Sequence, residues 1–438
     1  MLDFLLKNWK DCILMYDKSR HMLKIRIPTI QTRLLFMWFC ELFVLTVVRF
    51  VLSRMGIYEG LTRSLILTAV ASVPVIILLF QMIIKKIRDW YPFLVLFLFI
   101  IVSIVISLLA NPKLIEYFTK SNYGIDRILR PDCALYAFLF FVIFRNPKEL
   151  IKEVSLFAYL DFVYLIIVML VPALSRGYWI DIGAKGQEIH SQYSLSFGYS
   201  MVFPTIIFIY LGYKKRKISA LFLSLIGLWS VFTQGNRGAL VIPIIFIGLL
   251  IISGIIDSKD IPRKAVKIGV VIAVLFLIAV FGNTFLKYIG TFLHSMGISS
   301  RSIDMLLQGE FTNNNGRDLI WVTVVNAIRN GGVFGYGVLG DRPFVAPIHY
   351  VGYSHNIFLE LICSFGIIGV GFSLYIIIDA IRMIFFCKDT EWRELYIILL
   401  SVSCQLFISM SFWYVWEFWA AVAVAYKYKK LYGIKTRI

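Results

Sequence analysis

Long apolar runs, broken by short polar stretches, recur along almost the whole chain. A run of about 18 or more such residues is what a helix needs to cross the hydrocarbon of a bilayer. Twelve spans are predicted, at roughly 31–52, 64–84, 91–110, 128–144, 154–174, 195–212, 218–234, 239–256, 266–285, 356–380, 395–411 and 412–426. Little polar sequence separates the last two. Backbone groups find no partners in lipid, so each span is helical. No repeat, low-complexity run or soluble domain interrupts the pattern. The chain reads as a single integral membrane domain over residues 1–438, with one long outer loop at 286–355 between the ninth and tenth spans. The predicted fold is an all-α polytopic membrane protein whose long loop carries short surface helices.

Composition agrees: 59% of the residues are hydrophobic, 16% are charged and the mean hydropathy is +0.80. A soluble domain of this size has no way to hide that much apolar surface. The residues before the first run are polar and basic and lack a small-residue cleavage pattern, so no secretory signal peptide is expected. A net charge of +18 suggests nucleic acid in a soluble protein, but in this pattern the charges first report topology. With the N-terminus inside, the inner segments hold 28 Lys plus Arg and the outer ones 14, as the positive-inside rule requires. Both termini are then cytoplasmic.

The two cations divide unequally. Inner segments hold 19 Lys and 9 Arg, whereas outer segments hold 10 Arg and 4 Lys. Topology explains the inner lysines. The outer arginines oppose it, and guanidinium binds phosphate through a planar fork and stays charged when partly desolvated. An outer cavity for a phosphate-bearing ligand is expected, although individual arginines also snorkel to headgroups or pair with acids. No cysteine falls in an outer loop, so no outer disulfide is implied. No Cys/His spacing reads as a zinc site.

Three stretches carry candidate chemistry. In "FTQGNRGAL", Gly235 and Gly238 flank Asn236 and Arg237 at a tight turn between two spans. Arg237 then lies beside a helix N-terminus, a plausible anion cradle, or pairs with headgroups. In "NNNGRDLIWVTVVNAIRNGG" a short surface helix is expected, capped near Asn315 and closed near Gly331. Arg317 falls in its first turn, where a cation is unfavourable without an anion; Asp318 or a bound phosphate supplies one. The glycines of "GGVFGYGVLGDRPF" are too loosely spaced for a dinucleotide site and predict a loop that folds back over the membrane mouth or moves. In "VGYSHNIFLE", His355 stands at the doorway of the tenth span, with Ser354 or Asn356 as the cap. A neutral imidazole there is suited to accept a proton, and an interfacial histidine also serves structure alone. Trp321, Tyr336, Tyr350 and Tyr353 are placed to stack on sugar rings or to serve as interfacial anchors. Glu41, Asp161 and Glu360 fall within spans, where acids face a bundle interior or a cavity.

His355-Asn356 followed after nine residues by Gly366-Ile-Ile-Gly369 resembles the histidine motif of the bacterial O-antigen ligase and polysaccharide repeat-unit polymerase superfamily. "QGNRGAL" resembles its arginine turn, and "GRDLIW" with "GYG" its outer-loop pattern; together these cover about 225–380. The resemblance implies a GT-C-like inverting glycosyltransferase acting on undecaprenyl-diphosphate-linked oligosaccharides, with no metal and no cofactor. Arg237 and Arg317 would hold the diphosphate and His355 would be the general base. Arg301, Arg342 and Asn356 are second-tier substrate contacts, and Arg329 is a further arginine without a motif match. The expected reaction is polymerisation of O-antigen or capsule repeats at the outer face of the cytoplasmic (inner) membrane. The alternatives are ligation of the finished chain to lipid A-core or another acceptor, and, in another class, transport of the same lipid-linked sugar. Expected partners are membrane lipid, a chain-length regulator and a flippase of the same pathway, and no nucleic acid.

Overall fold

The computed structural model describes residues 29–58, 60–120, 124–182, 188–258, 260–262, 264–269, 316–349 and 352–433, the backbone of 14–17 and 22–25, and isolated positions between 284 and 305. The chain forms two compact units, residues 1–88 and 89–438.

In the first unit β1 (Leu14–Asp17) pairs antiparallel with β2 (Met22–Ile25), a ribbon within what the hydropathy pattern marks only as an inner polar segment. Helices α1 (Ile30–Arg54) and α2 (Leu61–Ile84) follow and share a core of Leu45, Leu52, Leu67 and Ala71.

The second unit begins with α3 (Tyr91–Ala110) and the seven-residue α4 (Tyr136–Val142). Helix α5 (Pro147–Tyr164) continues through a π turn into Val171–Arg176. A hairpin of β3 (Trp179–Ile182) and β4 (Glu188–Ser191) leads to α6 (Leu195–Lys215), α7 (Ile218–Gln234) and α8 (Arg237–Ile256). After the long loop come α9 (Arg317–Asn330), α10 (Ile357–Ile381), α11 (Thr390–Ser403) and α12 (Trp416–Tyr432).

Seven helices among the described residues are long and apolar enough to span a membrane: α1, α2, α3, α5 with its extension, α6, α8, and α10 with its extension to Phe386. The shorter α4, α7, α11 and α12 occupy four other predicted spans. The span expected at 128–144 holds the end of a four-residue helix, Asp126–Leu129, and then α4, because Pro131 and the Arg130–Asp132 ion pair interrupt the run between them. Its residues are apolar because protein surrounds them: Leu135 through Phe144 are buried without exception. Most of the ninth predicted span lies outside the described residues.

Helix α6 is the centre of the second unit. In its apolar window 78% of residues are buried, against 22–33% in the other six long helices, whose outer sides are free to meet lipid. Phe203 stacks on Phe157 of α5 and Trp416 of α12. Helix α7 approaches closely because Gly227 has no side chain; a Cβ there would lie 2.3 Å from the Thr205 hydroxyl.

Ion pairs gather the predicted inner segments of this unit at one end. Asp89 receives Lys427 at 3.1 Å, Arg145 at 3.2 Å and Lys430 at 3.3 Å. Lys148 meets Glu391, Lys214 meets Glu394, and Arg393 meets Asp257. The Arg237 turn, the α9 start and His355 belong to the opposite ends of their helices.

Candidate active site

Three backbone arrangements build the site. The first is the turn before α8. The Gln234 carbonyl accepts from Ser194 N–H at 3.0 Å, and its side-chain oxygen accepts from the Trp179 indole at 3.0 Å. The β3–β4 hairpin is thereby tied to the turn. Gly198 of α6 lies against Gly235; a Cβ on Gly198 would fall 2.9 Å from the Gly235 Cα. Asn236 caps α8, its side-chain oxygen accepting from Ala239 N–H at 2.8 Å. Arg237 is the first residue of α8, where the sequence puts it. Tyr199 of α6 brings its hydroxyl to this turn: a Cβ on Gly238 would meet it at 2.4 Å.

The second is the glycine-rich stretch after α9. Helix α10 breaks at Gly366, whose φ of 56° and ψ of −127° are non-helical. The break strands the carbonyls of Cys363 and Ser364 and the N–H of Ile367. Stranded backbone groups in a membrane need protein partners. The stretch supplies them: Tyr336 N–H donates to Cys363 O at 2.9 Å, Gly337 N–H to Ser364 O at 2.8 Å, and Ile367 N–H to Val333 O at 2.8 Å. A Cβ on Gly366 would sit 2.0 Å from Val333 O, so only glycine admits this join. Val338 N–H is held by the Ser107 hydroxyl of α3 at 2.8 Å. The stretch folds back as expected, but these bonds fix it to the helix break.

The third is the approach to α10. Asn356 caps that helix, its side-chain oxygen accepting from Phe358 N–H at 3.0 Å and Leu359 N–H at 3.2 Å. His355 precedes it with φ of +51°, in the left-handed region. A residue with a Cβ holds that conformation at a cost of roughly 1–3 kcal/mol, which the surroundings must sustain. Leu339 and Met410 also have positive φ, at 59° and 57°. Met410 reaches the neighbourhood through its sulfur, 4.0 Å from the Tyr353 hydroxyl.

His355 is 7% exposed, and neither ring nitrogen has a hydrogen-bond partner among the described residues. Its ring packs on Tyr353 at 4.5 Å and meets His349 edge-on at 5.5 Å. Burial, then the charges of Arg317, His349 and Arg342, push its pKa down to about 3. The imidazole is therefore neutral, with one lone pair open. Arg317 is half-buried and makes no ion pair among the described residues. Its charge reaches His355, and burial followed by that same charge lowers the pKa of His349.

Arg317 and His355 thus lie close enough for the charge of one to act on the other. Tyr199 joins the Arg237 turn to this pair, since its hydroxyl lies beside Asn236 and Ser409 and within reach of the Arg317 charge. Arg301 lies outside the described residues. Arg342 departs from the substrate-contact expectation. It is 3% exposed, and its guanidinium is engaged by Asp341 through two 2.8 Å bonds and by Glu360 at 3.0 Å. Asn356 has its oxygen committed to the cap, and Arg329 is exposed in the last turn of α9. Tyr353 stacks between Arg342 and His355, and Tyr336 donates to Ala327 O at 2.9 Å. Tyr350 lies outside the described residues.

The sequence reading missed Tyr199, Ser409 and the buried group of Asp341, Ser354 and Ser411. The serines "SMS" inside an apolar hairpin, at Ser409 and Ser411, were the available signal.

Residues 220–374 match the family model described as O-antigen ligase. That stretch runs from α7 to beyond the α10 break, and it supports the O-antigen ligase and repeat-unit polymerase superfamily for this chain. No curated protein and no solved structure matches it.

Proposed function

We propose that this protein is an inverting glycosyltransferase that polymerises undecaprenyl-diphosphate-linked oligosaccharide repeats at the outer face of the cytoplasmic membrane. The observation that carries the reading is a guanidinium without an ion pair among the described residues, Arg317, whose charge acts on a buried imidazole, His355, with no hydrogen-bond partner on either nitrogen among those residues. The acceptor hydroxyl attacks the anomeric carbon of the donor. The new glycosidic bond forms as the bond to diphosphate breaks, and the bonding pair leaves on the diphosphate. The hydroxyl proton passes to His355.

Arg317 and the Arg237 end of α8 hold the departing charge, a preorganised electrostatic role worth roughly 10²–10³ in rate per donor. Burial and the neighbouring charges hold His355 neutral, so its lone pair is available. A bound diphosphate offsets the Arg317 charge and raises the proton affinity of the imidazole when the hydroxyl must release its proton. In a polymerase both substrates carry a lipid diphosphate, and the excess of arginine over lysine in the predicted outer segments suits that demand.

The family match favours a ligase equally, transferring a finished chain to an acceptor lipid. One experiment separates these readings. Purified protein is incubated with lipid-linked oligosaccharide extracted from the source cells, with and without acceptor lipid and chelator. A product ladder from the lipid-linked repeat alone, unchanged by chelator, supports the polymerase. Product that forms only after acceptor is added makes the protein a ligase. Movement of substrate across vesicles without any new glycosidic bond replaces both with a transporter.

A further inference from the structure

Behind His355 lies a polar chain buried from solvent. Glu360, in the first turn of α10, accepts from Arg342 at 3.0 Å and from the Ser411 hydroxyl at 2.6 Å. Arg342 donates to both carboxylate oxygens of Asp341. Asp341 in turn accepts from Ser354 twice, from the backbone N–H at 2.8 Å and from the hydroxyl at 2.5 Å. Asp341, Ser354 and Ser411 have no exposed surface, and Glu360 has 1%. Arg342 also lies under the Tyr353 ring, 5.3 Å from its centroid, and that ring carries the imidazole.

His355 therefore sits between two anchored neighbours. Ser354 is fixed to Asp341, and Asn356 is fixed to the first turn of α10. Its ring nitrogens are open, so no side chain orients the imidazole by a hydrogen bond, as a carboxylate does in a catalytic triad. What remains to aim it is the backbone and the ring beneath. A left-handed residue with a Cβ persists only where its surroundings hold it.

We propose that Asp341, acting through Ser354 and the Arg342–Tyr353 stack, is a positioning residue that locks the left-handed backbone of His355 and aims its imidazole at the acceptor hydroxyl. This rests on the reading of His355 as the base. It assigns the outer arginine at 342 to orientation of the base and leaves the diphosphate to others. A misplacement of about 1 Å in a reacting group costs on the order of 10²-fold in rate.

The test uses the full-length protein and the same extracted lipid-linked oligosaccharide. Asp341→Asn and Ser354→Ala are each made in the parent and in His355→Ala, and kcat and donor KM are measured. Expected are a kcat lowered about 100-fold in Asp341→Asn and about 10-fold in Ser354→Ala, with donor KM unchanged. In the His355→Ala background neither substitution lowers the residual rate further, because residues acting as a unit are not additive. Equal losses in both backgrounds, or full kcat in both single variants, overturn the proposal. If Asp341→Asn does not fold, Ser354→Ala, which keeps the backbone bond, decides by the same criterion. Full activity in His355→Ala would instead remove the base itself, a different failure.

Discussion

The two ends of the second unit treat cations in opposite ways. At the end predicted to be inner, several cations are matched by acids: Asp89 alone gathers Lys427, Arg145 and Lys430. Partial burial works to raise the Asp89 carboxyl, but hydrogen bonds and charge from Lys427, with Arg145 and Lys430, hold it below the ordinary range. At the opposite end the buried acids below His355 are spent elsewhere. Asp341 and Glu360 engage Arg342, and Arg317 is left beside a neutral imidazole. Paired charge ties helices together, whereas unpaired buried charge is destabilising and is kept where a ligand completes it. The inner end is a fastening and the outer end has the character of a site.

That contrast breaks or sharpens under substitution. The largest effect is expected for His355→Ala, a loss of about 10²–10⁴ in kcat, with the thermal midpoint little changed. Arg317→Ala follows, at about 10²–10³ in kcat and again with little loss of stability, because no ion-pair partner among the described residues is stranded. Rate assays and thermal unfolding on the same preparations check both; a large loss of stability in Arg317→Ala would mean that it fastens the fold. Arg393→Ala should show the reverse. It removes a 2% exposed guanidinium that binds Asp257, Ser253 and the Cys387 carbonyl. Roughly 3–5 kcal/mol of stability is expected to go, as for a broken buried pair, with the rate per folded molecule retained.

A smaller effect concerns pH. The folded His355 refuses a proton down to pH about 3, whereas an unfolded histidine takes one near 6.5. The unfolded state therefore binds more protons below pH 6.5, and stability falls as pH falls. By pH 5 this amounts to about 2 kcal/mol. His355→Gln should flatten that limb of a thermal-unfolding series, with His349 retained in both proteins. An unaltered limb would show that the imidazole is charged or exposed. The smallest effect is expected for Lys430→Ala, whose side chain is 45% exposed: about 0–1 kcal/mol, read by thermal unfolding at low and high salt.

Several elements were legible because their signals are local. The long apolar runs of α1, α2, α3, α6, α8 and α10 need only length and hydropathy. The cap at Asn356 and the helix start at Arg237 follow from residue types in a few adjacent positions. The run at 128–144 misled because burial in protein and burial in lipid select the same apolar residues. The sequence alone marked Arg317 and His355 as chemistry-bearing types at a membrane mouth, and composition with charge asymmetry set the class of protein. Tertiary structure decided which cation is spent. Arg342 and Arg317 are both outer arginines next to an aspartate, at Asp341 and Asp318, and nothing local separates them. Only the fold brings Glu360 and Ser411, distant in the chain, onto Arg342 and leaves the Arg317 charge to act on the imidazole. Pairing energy depends on separation in space and on exclusion of water, and neither is written in a residue's neighbours along the chain.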